Sequence, residues 1–200
     1  MPRERVLRTT RGGSAGSVRV GVFGGSFDPI HHGHLIAAAA LAETLELDEV
    51  RLVIAARQPL KAAGHAATGE QRAAMVELAL RGDPRLRADR RELAREGPSF
   101  MVDTLRSLRA ERPDDTLVLL LGADAAAGLD HWREPDAIWA LCQVEAFARE
   151  GIGEAGIQVP RVDISSTAIR ARVRAGRSIR YWVPERVAEF IVAHRLYREA

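Results

Sequence analysis

Two hundred residues, 46% hydrophobic and 28% charged, fit one soluble domain, or one domain with an appendage, with chain enough to bury a substantial core. The 29 basic and 27 acidic side chains nearly cancel to +2 and alternate along candidate helices, which argues against a nucleic-acid surface, and no run of about 18 apolar residues offers a membrane span. Cys142 is the only cysteine, which excludes an intrachain disulfide and a thiolate metal cluster, fits a reducing cytoplasm, and between Leu141 and Gln143-Val144 reads as a buried structural thiol.

Residues 1–17 read as a flexible lead, in which Arg3, Arg5, Arg8 and Arg11 face only Glu4 and a Gly-Ser-rich stretch follows. No continuous apolar segment there suggests a signal peptide. From residue 18 to 200 the chain reads as one domain in which strands and helices alternate. Val18 to Phe23 is a short buried strand. Residues 33–47 carry Leu35, Ala38, Ala42 and Leu45 at helical spacing. A strand over Val50 to Ala55 leads to a helix over Glu70 to Leu80, and the Gly97-Pro98 punctuation opens another over Ser99 to Ala110. Thr116 to Leu121 is apolar almost throughout, as a central parallel strand covered on both faces should be, and Gly122 ends it. A short helical region follows, then a helix from Pro135 to Leu141. Strands over Val144 to Ala148 and Ile157 to Val162 come next, and helices over Ser166 to Ala175 and Pro184 to His194 close the pattern. Such alternation predicts an α/β fold, a Rossmann-like doubly wound parallel sheet with a small C-terminal helical region. Ligands of such sheets bind beyond the carboxyl ends of the strands, so Gly24-Gly25 and Gly122 are expected to meet across one crevice.

Two segments carry chemistry. In the first, Gly24-Gly25-Ser26-Phe27-Asp28-Pro29-Ile30-His31-His32-Gly33-His34, a strand stops at paired glycines and two imidazoles follow three residues apart. The glycines suit either a tight turn or close approach of a ligand to the main chain. Neither a Gly-x-Gly-x-x-Gly fingerprint nor a Walker A loop is present. His31 and His34 suit phosphate contact at a helix start better than zinc, which would need another good ligand. In the second, Ile164-Ser165-Ser166-Thr167-Ala168-Ile169-Arg170, either serine can cap a helix and Arg170 falls one turn in, within reach of a phosphate held by the amides of Ser166 and Thr167. Two anion sites suggest a polyphosphate. Lys61 is the only lysine, either a required point charge or chance on a loop. Trp132 is either a lid on the core or a platform for an aromatic ring.

Together these segments resemble the nucleotidyltransferase superfamily with the His-x-Gly-His signature, and more narrowly the bacterial nicotinate mononucleotide adenylyltransferases, from about Val20 to Tyr197. The narrower resemblance rests on Arg91-Glu92-Leu93, Gly97-Pro98-Ser99-Phe100, Asp103-Thr104-Leu105, Leu121-Gly122-Ala123-Asp124, Trp132 and Leu196-Tyr197. The chain departs from that family's pattern at Ala55-Ala56, at Gln58-Pro59-Leu60-Lys61, at Met101 where a hydroxyl is usual, and at Arg149-Glu150-Gly151. The resemblance implies joining of ATP and nicotinate mononucleotide to give deamido-NAD and pyrophosphate, in NAD biosynthesis in the cytoplasm. Nicotinamide mononucleotide and phosphopantetheine are the alternative acceptors. It implies catalytic roles for His31, His34 and Arg170. ATP contacts would come from those three with Gly24, Gly25, Ser26, Phe27, Gly122, Asp124, Ile164, Ser165, Ser166 and Thr167. Acceptor contacts would come from Lys61, Met101, Trp132 and Arg149. Mg²⁺ is expected on the ATP phosphates with no dedicated protein metal ligands. The expected partners are the two small substrates, with neither nucleic acid nor membrane, and a homo-oligomer is left open.

Overall fold

The computed structural model describes residues 17–57, 64–149, 151 and 156–198. The strands are β1 (Arg19–Gly25), β2 (Glu49–Ile54), β3 (Leu86–Asp89), β4 (Thr116–Gly122), β5 (Gln143–Arg149) and β6 (Ile157–Val159). The helices are α1 (His32–Thr44), α2 (Gly69–Ala79), α3 (Met101–Glu111), α4 (Ala123–Ala127), α5 (Pro135–Leu141), α6 (Ser166–Arg174) and α7 (Glu185–Ala193), with a 3₁₀ turn over Leu129–His131. The strands form one sheet in the order β3-β2-β1-β4-β5-β6, every neighbouring pair parallel. That order is the doubly wound Rossmann-like one, and it reverses between β1 and β4.

Strand alternation divides the core between the two faces. Val20 and Val22 of β1 and Leu117, Leu119 and Leu121 of β4 pack with Val102, Leu105 and Leu108 of α3 and Ile138 of α5. Val118 and Leu120 of β4 turn the other way, toward Leu41 of α1, Met75 and Val76 of α2, Ile169 of α6, and Val187 and Ile191 of α7. Leu105, Leu108 and Leu119 have no accessible surface, and burying each contributes about 1.5–3 kcal/mol. Both faces of β4 are therefore covered, as its unbroken apolar run required.

The sheet departs from the sequence reading at its edges. Strand β3 was not expected, because Arg87 and Asp89 interrupt its apolar pattern. Its place is fixed by tertiary bonds instead, Asp89 pairing with Arg51 of β2 at 3.2 Å and the adjacent Arg91 with Glu111 of α3 at 2.8 Å. Strand β6 stops at Val159, since Pro160 has no N–H to extend the ladder. The anticipated N-terminal lead falls outside the described residues except for Ser17. Cys142 is half-buried, its thiol donates to the Ile138 carbonyl at 3.3 Å, and burial pushes its pKa up to about 12, which suits a structural thiol.

Candidate active site

The two glycine-ended strands, β1 and β4, lie side by side at the point where strand order reverses. The loop from Ser26 to Ile30 leaves β1 there and is held from several directions. Arg72 of α2, 1% exposed, donates from Nη1 to the carbonyls of Ser26 (2.8 Å) and Ala55 (2.7 Å), tying the ends of β1 and β2 together. Both Asp28 carboxylate oxygens are occupied. Oδ2 accepts from the Ala66 amide at 2.7 Å, and Oδ1 accepts from the Ala67 amide at 3.2 Å and from the Tyr197 hydroxyl at 2.8 Å. Burial and the adjacent Asp28 carboxylate push the Tyr197 pKa up, so the phenol keeps its proton and remains a donor. From α6, the Ser166 hydroxyl donates to the Pro29 carbonyl at 2.9 Å and Arg170 donates to the Asp28 carbonyl at 2.7 Å. This last pair of contacts brings the second motif onto the first across 137 and 142 residues of chain.

The two imidazoles open α1. Helix α1 begins at His32, one residue before the expected start, so His31 is its N-cap and His34 its third residue. The His31 amide donates to His34 Nδ1 at 3.3 Å, which leaves Nε2 to carry the proton in neutral His34. The two rings stack with centroids 3.7 Å apart and planes 24° apart. A Cβ on Gly33 would lie 3.1 Å from His31 Nδ1, so glycine lets the first ring fold back over the helix start. His31 is 5% exposed, and its Nδ1 is one of two buried side-chain polar atoms without a partner among the described residues. Burial lowers its pKa to about 4, helped by the positive charge of Arg149 and by His32. It is a neutral imidazole at neutral pH.

Around these groups lies a cleft of about 1010 Å³. Ser26, His31, His34, Gly122, Asp124, Ile164, Ser165, Ser166, Thr167 and Arg170 all line it. Ser165 is the residue that caps α6, its hydroxyl accepting from the Ala168 amide at 3.1 Å. A second cavity, of about 470 Å³, is lined by Gly24, Gly25, Met101 and Trp132. Phe23, Gly122 and Ala125 form wall to both spaces, so the two adjoin at the ends of β1 and β4.

Three expectations change. Phe27 lines neither space: its ring is 2% exposed and meets His34 edge-on at 5.1 Å, so it supports an imidazole from below. Its left-handed backbone (φ 48°) turns the ring inward, beneath Gly25, where an added Cβ would fall 2.7 Å from it. Arg149, expected with the acceptor group, lines the larger cleft because it ends β5 beside β4, away from Met101 and Trp132. Gly24 and Gly25 line the smaller cavity and not the larger cleft. Lys61 lies outside the described residues.

Sequence reasoning missed His65, which lines the larger cleft with Nε2 3.2 Å from the Ser26 hydroxyl. It also missed the anchoring by Arg72 and Tyr197. The position of His65 just before the Thr68 cap of α2 was the one available signal.

Two helix starts that converge at the switch point of a parallel sheet suit a nucleotide-handling enzyme of the nucleotidyltransferase class. The Cytidylyltransferase-like family pattern matches residues 22–172, and the chain belongs to that family. Among its curated relatives is a Thermus thermophilus protein named "Probable nicotinate-nucleotide adenylyltransferase", 47% identical over 90% of this chain and 100% of that one. A Leifsonia xyli protein of the same name is 40% identical over 90% of this chain and 94% of its own. The fold also matches that of Plasmodium falciparum nicotinic acid mononucleotide adenylyltransferase complexed with NaAD, with a TM-score of 0.74 at 16% identity, over 90% of this chain and 97% of that one. Within the class, the chain belongs with the nicotinate-nucleotide adenylyltransferases.

Proposed function

We propose that this chain transfers the adenylyl group of ATP to the 5′-phosphate of nicotinate mononucleotide, giving deamido-NAD and pyrophosphate. The observation that carries the reading is the convergence of His31, His34, Ser166, Thr167 and Arg170 on one cleft that adjoins a smaller, ring-sized cavity. The names of the curated relatives support the choice of acceptor.

An oxygen of the acceptor phosphate attacks the α-phosphorus of ATP. The bond from that phosphorus to the bridging oxygen breaks, and pyrophosphate leaves with the electron pair. The protein supplies no nucleophile; it positions the two phosphates and stabilises the charge that builds between them. His34 donates from Nε2 at the α-phosphate, and neutral His31 stacks on it and fixes its plane. Arg170 and the first amides of α6 hold the departing pyrophosphate, where the helix dipole favours anions. Trp132 and Met101 enclose the pyridine ring. Among the described residues no group of three or more His, Cys, Asp or Glu side chains forms a metal cage, and Asp28 is fully engaged. That donor set fits Mg²⁺ carried by triphosphate oxygens and water, with Asp124 as the carboxylate in the cleft wall, and it would supply charge neutralisation. Among the described residues no helix is long and apolar enough to cross a membrane. The proposed place in NAD biosynthesis is what supports assigning the enzyme to the cytoplasm.

The test is pyrophosphate release from ATP with each acceptor offered in turn. Nicotinate mononucleotide should give the highest kcat/KM. A preference for phosphopantetheine, or pyrophosphate release with no acceptor, would overturn the assignment.

A further inference from the structure

The smaller cavity is mostly apolar, with Leu120, Leu121, Met101 and Ile138 in its wall. Its few polar groups are unequally committed. Ser99 accepts from the amides of Ala56 (2.9 Å) and Arg57 (3.3 Å). Glu92, 4% exposed, accepts from the Thr104 hydroxyl at 2.6 Å, with Arg95 at 3.7 Å. Met101 in the same wall offers no hydrogen-bond donor. The remaining polar side chains in the wall are His131 and Arg133.

Arg133 differs from every other polar group there. Its guanidinium lies over the Phe100 ring, 4.7 Å from the centroid, at the half-exposed rim of the cavity. Its carboxylate contacts are loose, 3.8 Å to Asp103 and 3.5 Å to Glu134. Glu134 is instead held at 2.6 Å by Arg106. The aromatic face fixes the guanidinium plane without using its N–H donors. A planar fork of donors at the rim of a ring-sized apolar cavity suits a carboxylate projecting from that ring. Glu92 in the same wall already accepts from Thr104 and offers an anionic ring substituent no fixed positive charge.

We propose that Arg133 is the specificity-determining residue that reads the ring carboxylate, so that the acid is accepted in preference to the amide. This rests on the assignment of nicotinate mononucleotide as acceptor. A carboxamide presents a neutral oxygen and an N–H₂ group, and gains far less from a guanidinium. Arg133 supplies from the rim the donors that the apolar wall around Met101 lacks.

The experiment is steady-state kinetics with nicotinate and nicotinamide mononucleotides for the wild type, Arg133→Leu, Arg133→Lys and His131→Gln, with thermal melts to establish folding. Arg133→Leu should raise KM for the acid about tenfold or more, change kcat by less than about twofold, and leave the amide within about twofold. Arg133→Lys should keep part of the discrimination, and His131→Gln should keep all of it. Equal losses with both acceptors in Arg133→Leu, unchanged discrimination, or loss of discrimination in His131→Gln would each overturn the inference while leaving the acceptor assignment standing. Turnover of neither pyridine mononucleotide by the wild type would overturn both.

Discussion

The larger cleft is walled by main chain held in place from far along the sequence, whereas the smaller cavity is walled by side chains of neighbouring elements. In the first, Ser26 to Pro29 are fixed by Arg72, Tyr197, Ser166 and Arg170, none of them local. In the second, Met101, Trp132 and Arg133 project from the start of α3 and from the turn before α5. On the proposed reading, phosphate recognition in the larger cleft rests on amides and helix starts, whose geometry tolerates little change. Ring recognition depends on individual side chains and can be retuned one residue at a time. Met101 is one such side chain in the wall of the smaller cavity.

The sharpest way to break this contrast is at the larger cleft. His34→Ala should lower kcat by about 10² or more, since one donor to the transition state is worth about 3 kcal/mol, while the melting temperature stays near the wild-type value. Near-normal turnover would remove His34 from the chemistry. An effect of similar size on stability should appear in acid. His31 has its ordinary pKa of 6.5 when unfolded and about 4 when folded, so the unfolded chain takes up the proton first. The folded state keeps this contribution above pH 6.5 and loses up to about 3 kcal/mol of it as pH falls toward 4. Urea melts across that window should show a shallower acid limb for His31→Gln, and identical slopes would refute the assignment. Next in size, Tyr197→Phe removes a buried donor to Asp28 and should cost about 1–2 kcal/mol in stability, with a several-fold fall in kcat and little change in acceptor KM. A change confined to acceptor KM would contradict the division between the two spaces. The smallest effect is expected from Met101→Thr, a shift of a few-fold in acceptor KM with ATP KM unaltered. Equal shifts for both substrates would show that the spaces are energetically one.

The central strands were legible in the sequence because burial on both faces leaves an unbroken apolar run, as in Thr116 to Leu121. The short edge strand β3 was not, since Arg87 and Asp89 read as loop and the strand is secured by Arg51 from the neighbouring strand. The two phosphate motifs were legible because glycines, imidazoles and a capping serine at fixed spacing carry their own local geometry. Their partners were not. Nothing at positions 72 or 197 announces a bond to the loop at 26–28, because such contacts exist only once the sheet has formed. Phe27 misled for a related reason: its place in the motif suggests contact with a ligand, and only the left-handed backbone reveals that the ring turns inward.

The bond between Tyr197 and Asp28 spans 169 residues, so one clasp on the loop after β1 comes from the far end of the described chain. During synthesis β1 and both imidazoles emerge early, yet their loop gains its last clasp only when Tyr197 arrives. A ribosome that stalls between Arg170 and Tyr197 releases a chain with both motifs complete and one clasp of their frame missing. Such a chain is expected to turn over more slowly, as Tyr197→Phe is, rather than not at all.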